Sequence, residues 1–230
     1  MTTSEDIEFA SNGSTAAGYL ALPDGPGPGV LVIQEWWGLN SQIKRVADRL
    51  AAEGFVALAP DLYHGELAGH DEMDKAGELM NALPPDRAAR DMSGAITALL
   101  DRPEVTGSAI GVVGFCMGGM LSLMISALEG DRVAAAAPHY GAPLGDGAPD
   151  WSGLTAKVRG HFAENDDFFP PGPVKALEDE LQAMGKDVEF KVYPGTGHAF
   201  ANEENPLGTH NADAAAAAWT QTLELLRSSL

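Results

Sequence analysis

The chain predicts an α/β fold: a mostly parallel central sheet with helices on both faces. Three observations carry this. Short apolar runs such as "GVLVIQE" and "AIGVVGF" recur along the sequence, as strands buried on both faces require. Between them lie stretches of helical period, and strands that alternate with amphipathic helices build parallel sheets. At 230 residues and 45% hydrophobic content, there is enough apolar material for one large core.

The elements follow in order. "IEFA" and "GYLALP" read as opening strands, with "SNGS" as the turn between them. "GVLVIQE", residues 29–35, is a buried central strand. Helical period runs from Ile43 to Ala51, with Asn40 or Ser41 as N-cap and Gly54 as the stop. "FVALAPDLY" is the next strand, and the polar segment 64–84 reads as a loop with a short helix. A surface helix starts at Pro85 and Asp86. "AIGVVGF", "VAAAAPHY", "KVRGHFA" and "VEFKVYP" are four further strands, with helices starting near Met117, Pro173 and Ala212 after the first, third and fourth. No linker or internal repeat interrupts this order, so one domain over 1–230 is expected.

Composition narrows the function. Acidic residues outnumber basic ones 33 to 14, for a formal charge of −19; such a surface repels phosphate backbones and argues against nucleic-acid partners. The polar start "MTTSEDIEFA" lacks the apolar core of a secretory signal, and no apolar run approaches the ~20 residues of a membrane helix. One cysteine cannot form an internal disulfide, which fits a cytoplasmic protein.

That cysteine sits in "GFCMGG". A strand turning sharply into a helix needs small residues where the backbones meet, and Gly114, Gly118 and Gly119 supply the space. The residue at the tip, Cys116, then stands over a helix N-terminus, which favours a thiolate and an oxyanion. A structural cysteine would fit the same turn, so its partners decide. A nucleophile on such an elbow needs an acid and then a histidine further along the chain. His198 lies in "YPGTGHAF", after the strand "VEFKVYP". The acid should follow the preceding strand, where Glu164, Asp166 and Asp167 stand; Asp166 is chosen. The loop after the first central strand, "IQEWWGLN", supplies the second oxyanion amide of such sites and carries Glu35, Trp36 and Trp37. His139 and Tyr140, at the end of another strand, are core or pocket rim. His64, His70 and His210 read as surface residues. His161, Glu164, Asp166 and Asp167 lack a recognised metal-ligand spacing, and no glycine pattern for a nucleotide is present.

Together "IQEWWGLN", "GFCMGG", "ENDDFFP" and "YPGTGHAF" resemble the dienelactone hydrolase family of α/β-hydrolases, over nearly the whole chain. The resemblance implies an α/β-hydrolase fold and a Cys116–Asp166–His198 triad. It also implies that Glu35 holds the resting thiol neutral and that the backbone amides of Trp36 and Met117 form the oxyanion hole. Trp37, Tyr140, Phe200 and Asn202 are candidate substrate contacts. The expected activity is carboxylic ester hydrolysis, opening a small-molecule lactone or activated ester through a thioester, with no cofactor and no metal. Two departures stand out. Asn202 occupies a position where relatives acting on dienelactone carry an arginine. No second arginine aligns near Met73 and Lys75, with Arg87 and Arg90 further on. A broad carboxylesterase or thioesterase would share the triad; a redox or binding protein using Cys116 would not need His198 and Asp166.

Overall fold

The computed structural model describes residues 1–11 and 13–230, and of residue 146 the backbone alone. By its internal contacts the chain divides into two compact units, Met1–Ile110 and Gly111–Leu230. Among the described residues, eight strands form one sheet in the order β1-β2-β4-β3-β5-β6-β7-β8.

In the first unit, β1 (Thr3–Ser11) and β2 (Ser14–Leu22) pair antiparallel from Thr3↔Leu22 to Ser11↔Ser14. The turn expected at "SNGS" includes Asn12, which lies outside the described residues. β3 (Gly27–Ile33) is buried at every position but Pro28, as its apolar run requires. It ends at Ile33, so Gln34 and Glu35 stand beyond the strand rather than within it.

Helix α1 (Ser41–Ala52) begins where Asn40 Oδ1 accepts the Ile43 amide at 3.2 Å. Ile43, Val46, Ala47 and Leu50 form its buried stripe, and Gly54 follows with φ +95°. Strand β4 (Val56–Pro60) pairs parallel with β3 and antiparallel with β2. It is shorter than "FVALAPDLY" suggests because Asp61 turns the chain: its carboxylate accepts the amides of Tyr63 (3.0 Å) and Gly65 (2.6 Å).

α2 (Met73–Ala82) is the short helix of the polar segment, and α3 (Pro85–Leu100) follows with Pro85 in its first turn. α3 is less superficial than its charge suggests: it buries Ala88, Met92, Ala95, Ile96 and Leu99, together with Asp91. The Asp91 carboxylate accepts hydrogen bonds from Ser11 Oγ and from His64 Nε2, the latter at 2.7 Å. The exposed ring of His64 thus ties the loop after β4 to α3.

The second unit repeats strand and helix. β5 (Val105–Phe115) runs across the division and leads into α4 (Met117–Glu129). β6 (Val133–His139), β7 (Lys157–Asn165) and β8 (Val188–Gly197) pair in parallel. α5 (Pro171–Ala183) packs on β7 and β8, and α6 (Ala212–Ser229), capped by Asn211, packs on β6 and β7. Among the described residues, no helix is long and apolar enough to cross a membrane.

Candidate active site

Cys116 occupies the one residue between β5 and α4, with φ 54° and ψ −118°. Few non-glycine residues adopt such a backbone, and it persists only when the surroundings over-determine it. Here they do. The Cys116 amide donates to His139 O at 3.0 Å, while its carbonyl accepts Gly119 N at 2.9 Å and Met120 N at 3.2 Å. Two glycines make the approach possible. A Cβ on Gly114 would stand 1.9 Å from Gly118 O, and one on Gly141 would stand 1.9 Å from Cys116 O. Gly114 is legible in the sequence motif. Gly141 is not, because it reaches the elbow from the end of β6.

Asp166 and His198 follow β7 and β8. The two oxygens of Asp166 have separate tasks: Oδ1 accepts the amides of Phe168 (2.9 Å) and Phe169 (3.0 Å), and Oδ2 accepts His198 Nδ1–H at 2.8 Å. The far side of the imidazole, Nε2, lies 3.2 Å from Cys116 Sγ. Asp166 is buried and Asp167 is exposed.

The electrostatics follow from these contacts. Burial alone would push His198 down, but hydrogen bonds with Asp166 and Cys116 outweigh it and carry the imidazole up to about 10. Burial acts to raise Asp166; the His198 bond and the two phenylalanine amides hold it below its ordinary value.

Three rings flank the imidazole: Phe168 at 4.8 Å, Tyr140 at 5.3 Å and Phe169 at 5.8 Å between centroids. Tyr140 and Phe200 are fully buried and pack on each other at 5.5 Å. Asn202 is also fully buried. Its Oδ1 accepts the Glu204 amide at 3.0 Å, so this oxygen shapes the turn that carries Glu203 and Glu204.

In the first unit, Glu35 and Trp37 are buried directly after β3 and Trp36 is half-buried. Trp37 packs with Trp36, His70, Ala68 and Ala76, anchoring the 64–84 segment. His70 is therefore a packed ring rather than a loose surface histidine. The contacts of Phe168 and Phe169 with His198 escape a reading of the sequence alone; the only signal is their place directly after the acid.

A second group of polar residues lies below the site, at the core. The rings of His139 and His161 are 4.6 Å apart and both are buried. Tyr193 OH donates to Gln221 Oε1 at 3.2 Å, so it accepts from His161 Nδ1–H at 3.0 Å. Neutral His161 then receives the Thr222 hydroxyl at Nε2, 3.1 Å away. His139 Nδ1–H donates to Ala137 O at 3.1 Å. Burial pushes His139 down to about 4. It pushes His161 well below its ordinary value, with His139 and Lys191 adding to the effect.

Known proteins resemble this chain over nearly its full length. The profile described as "Dienelactone hydrolase family" matches residues 16–230. "Protein usf" of Aquifex pyrophilus is 36% identical over 97% of this chain and 98% of its own length. An Aquifex aeolicus protein, provisionally named a carboxymethylenebutenolidase, is 34% identical over 97% of this chain and 98% of its own. A crystal structure from Klebsiella pneumoniae, provisionally named a dienelactone hydrolase, superposes with a TM-score of 0.87 at 26% identity, covering 99% of both chains. With a strand-to-helix elbow, a buried acid–histidine pair and matches along nearly its full length, the chain belongs to the dienelactone hydrolase family.

Proposed function

We propose that this carboxylic ester hydrolase opens a lactone or activated ester through a thioester on Cys116. The observation that supports this best is the unbroken relay from Asp166 Oδ2 through the imidazole to Cys116 Sγ, with spacings of 2.8 and 3.2 Å. Asp166 fixes the ring so that Nε2 faces sulfur, and the raised His198 favours an imidazolium–thiolate pair once substrate displaces Glu35.

The thiolate attacks the carbonyl carbon, and the carbonyl electron pair moves onto oxygen. The amides of Met117, at the start of α4, and of Trp36 are assigned to that oxyanion, the second on the family resemblance. One such donor lowers a barrier by roughly 2.7 to 4 kcal/mol. Collapse breaks the C–O bond, and His198 Nε2–H gives its proton to the leaving oxygen. Neutral His198 then takes a proton from water as that water attacks the thioester, and the thiolate departs beside the imidazolium, which returns the proton to sulfur. Thiolate leaves more readily than an amine, so an amide substrate would collapse backwards; esters and lactones with stabilised leaving groups suit this site.

Alkylation tests the nucleophile directly. Cys116 is the only cysteine, so one equivalent of iodoacetamide should label one site and abolish ester hydrolysis in parallel. Full activity after stoichiometric labelling would sink the proposal.

Glu35, buried directly after β3, is assigned to suppressing the resting thiol, again on the family resemblance. A carboxylate that accepts a hydrogen bond from the neutral thiol, and whose charge opposes a thiolate, disfavours ionisation until substrate displaces it. Glu35→Gln should speed alkylation of Cys116 in the absence of substrate. An unchanged or slower rate across the pH range contradicts that role.

A further inference from the structure

Phe168, 58% exposed, is the one largely exposed phenylalanine, tyrosine or tryptophan among the described residues. It stands beside the imidazole of His198, with ring centroids 4.8 Å apart and planes at 51°. Of the other two rings there, Tyr140 is buried and Phe169 half-buried. Phe168 is therefore the ring that offers most of its face to an incoming molecule. It is also held in place. Asp166 Oδ1 accepts the Phe168 amide at 2.9 Å while Asp166 Oδ2 holds His198 Nδ1 at 2.8 Å. One carboxylate sets phenyl and imidazole relative to each other.

The reaction dictates which half of a substrate comes here. The acyl carbon becomes bonded to Cys116 Sγ, and the leaving oxygen must come within hydrogen-bond reach of His198 Nε2 to take its proton. The leaving group is thus the part that lies along the imidazole and meets the ring beside it. A phenyl face pairs best with another flat π-system, offset or edge-on. Asp167, its neighbour in the chain, is an exposed carboxylate, which disfavours negative charge at that end. Resting on the proposed roles of Cys116 and His198, we propose that Phe168 is the specificity contact for the leaving group and selects flat, uncharged ones: aryl or enol esters. The step is the one already balanced above, in which the C–O pair and the Nε2 proton leave together as a phenol or enol.

The test compares phenyl acetate with 2,2,2-trifluoroethyl acetate, which share an acyl group, in wild type, Phe168→Ala and Phe168→Trp. The kcat/KM ratio of phenyl to trifluoroethyl ester should fall about tenfold in Phe168→Ala and stay within about twofold in Phe168→Trp, because stacking and apolar burial are lost only in the first. Equal losses on the two acetates would overturn the proposal, as would a loss that differs between p-nitrophenyl acetate and p-nitrophenyl butyrate. Binding of 2-naphthol, followed by its fluorescence, separates this inference from the reading beneath it. A wild type that hydrolyses none of these esters refutes the hydrolase reading. A naphthol affinity unchanged by Phe168→Ala refutes the role of Phe168, whereas about tenfold weaker binding supports it.

Discussion

Asp166→Asn and His198→Ala should each lower kcat/KM by about three to four orders of magnitude, with the double variant no more than about threefold below His198→Ala. The reason lies in the two oxygens of Asp166. If asparagine keeps its carbonyl oxygen on the amides of Phe168 and Phe169, its NH2 group faces His198 Nδ1 and donates to it. The neutral ring must then carry its proton on Nε2, facing Cys116 Sγ, and can no longer accept the thiol proton. The imidazole would remain in place in the wrong tautomer. Because acid and base act on one proton, removing the second member after the first costs little. Asp167→Asn is the comparison: a larger loss there than in Asp166→Asn would reassign the acid.

The second large effect concerns acid. His139 is neutral and buried, with its pKa pushed down to about 4. The unfolded chain protonates it near its ordinary value of 6.5, so below that pH the unfolded state binds more protons and stability falls. Each such histidine contributes a slope of about 1.4 kcal/mol per pH unit, so His139 alone should remove roughly 3 kcal/mol by pH 4. His161 acts in the same direction and continues lower. His198 has the opposite sign. Its folded pKa is raised to about 10, so its contribution is complete below its ordinary value and is lost as pH rises through about 10. For these three groups together, stability should peak near neutrality. Denaturant midpoints measured from pH 7 to pH 4 check the acid limb. In His139→Phe the slope should be shallower by about 1.4 kcal/mol per unit at most, whatever the change in absolute stability; an identical slope rules the assignment out.

Elements whose sequence carries a single strong period were legible: β3 and β5 as apolar runs, and α1 from its stripe, with the cap narrowed to Asn40 or Ser41 and found at Asn40. The elbow could be read because glycine spacing and chain order are local facts. What escaped was whatever depended on a side chain turning back on its own backbone, or on strand register. "DLY" looks like strand until the Asp61 carboxylate takes up the amides of Tyr63 and Gly65. The bond from the Glu204 amide to the Asn202 oxygen makes another such turn, closed by a side chain on backbone two residues ahead. His139 and His161 meet because they are register partners in adjacent strands, a pairing that no pattern within either segment announces. Asp166 and Asp167 are chemically alike and adjacent. Only the turn through Phe168 and Phe169 separates their tasks.

The backbone at Cys116 has a consequence for how this protein can change. A side chain at φ 54°, ψ −118° costs on the order of 1–3 kcal/mol of folding free energy. Glycine would adopt that conformation without strain, so Cys116→Gly is expected to be inert yet more thermostable, less whatever packing the thiol provides. Stability and activity therefore pull in opposite directions at this residue. Selection for heat resistance alone would tend to erase the proposed nucleophile, and selection for turnover through it must keep a residue the fold would rather lose.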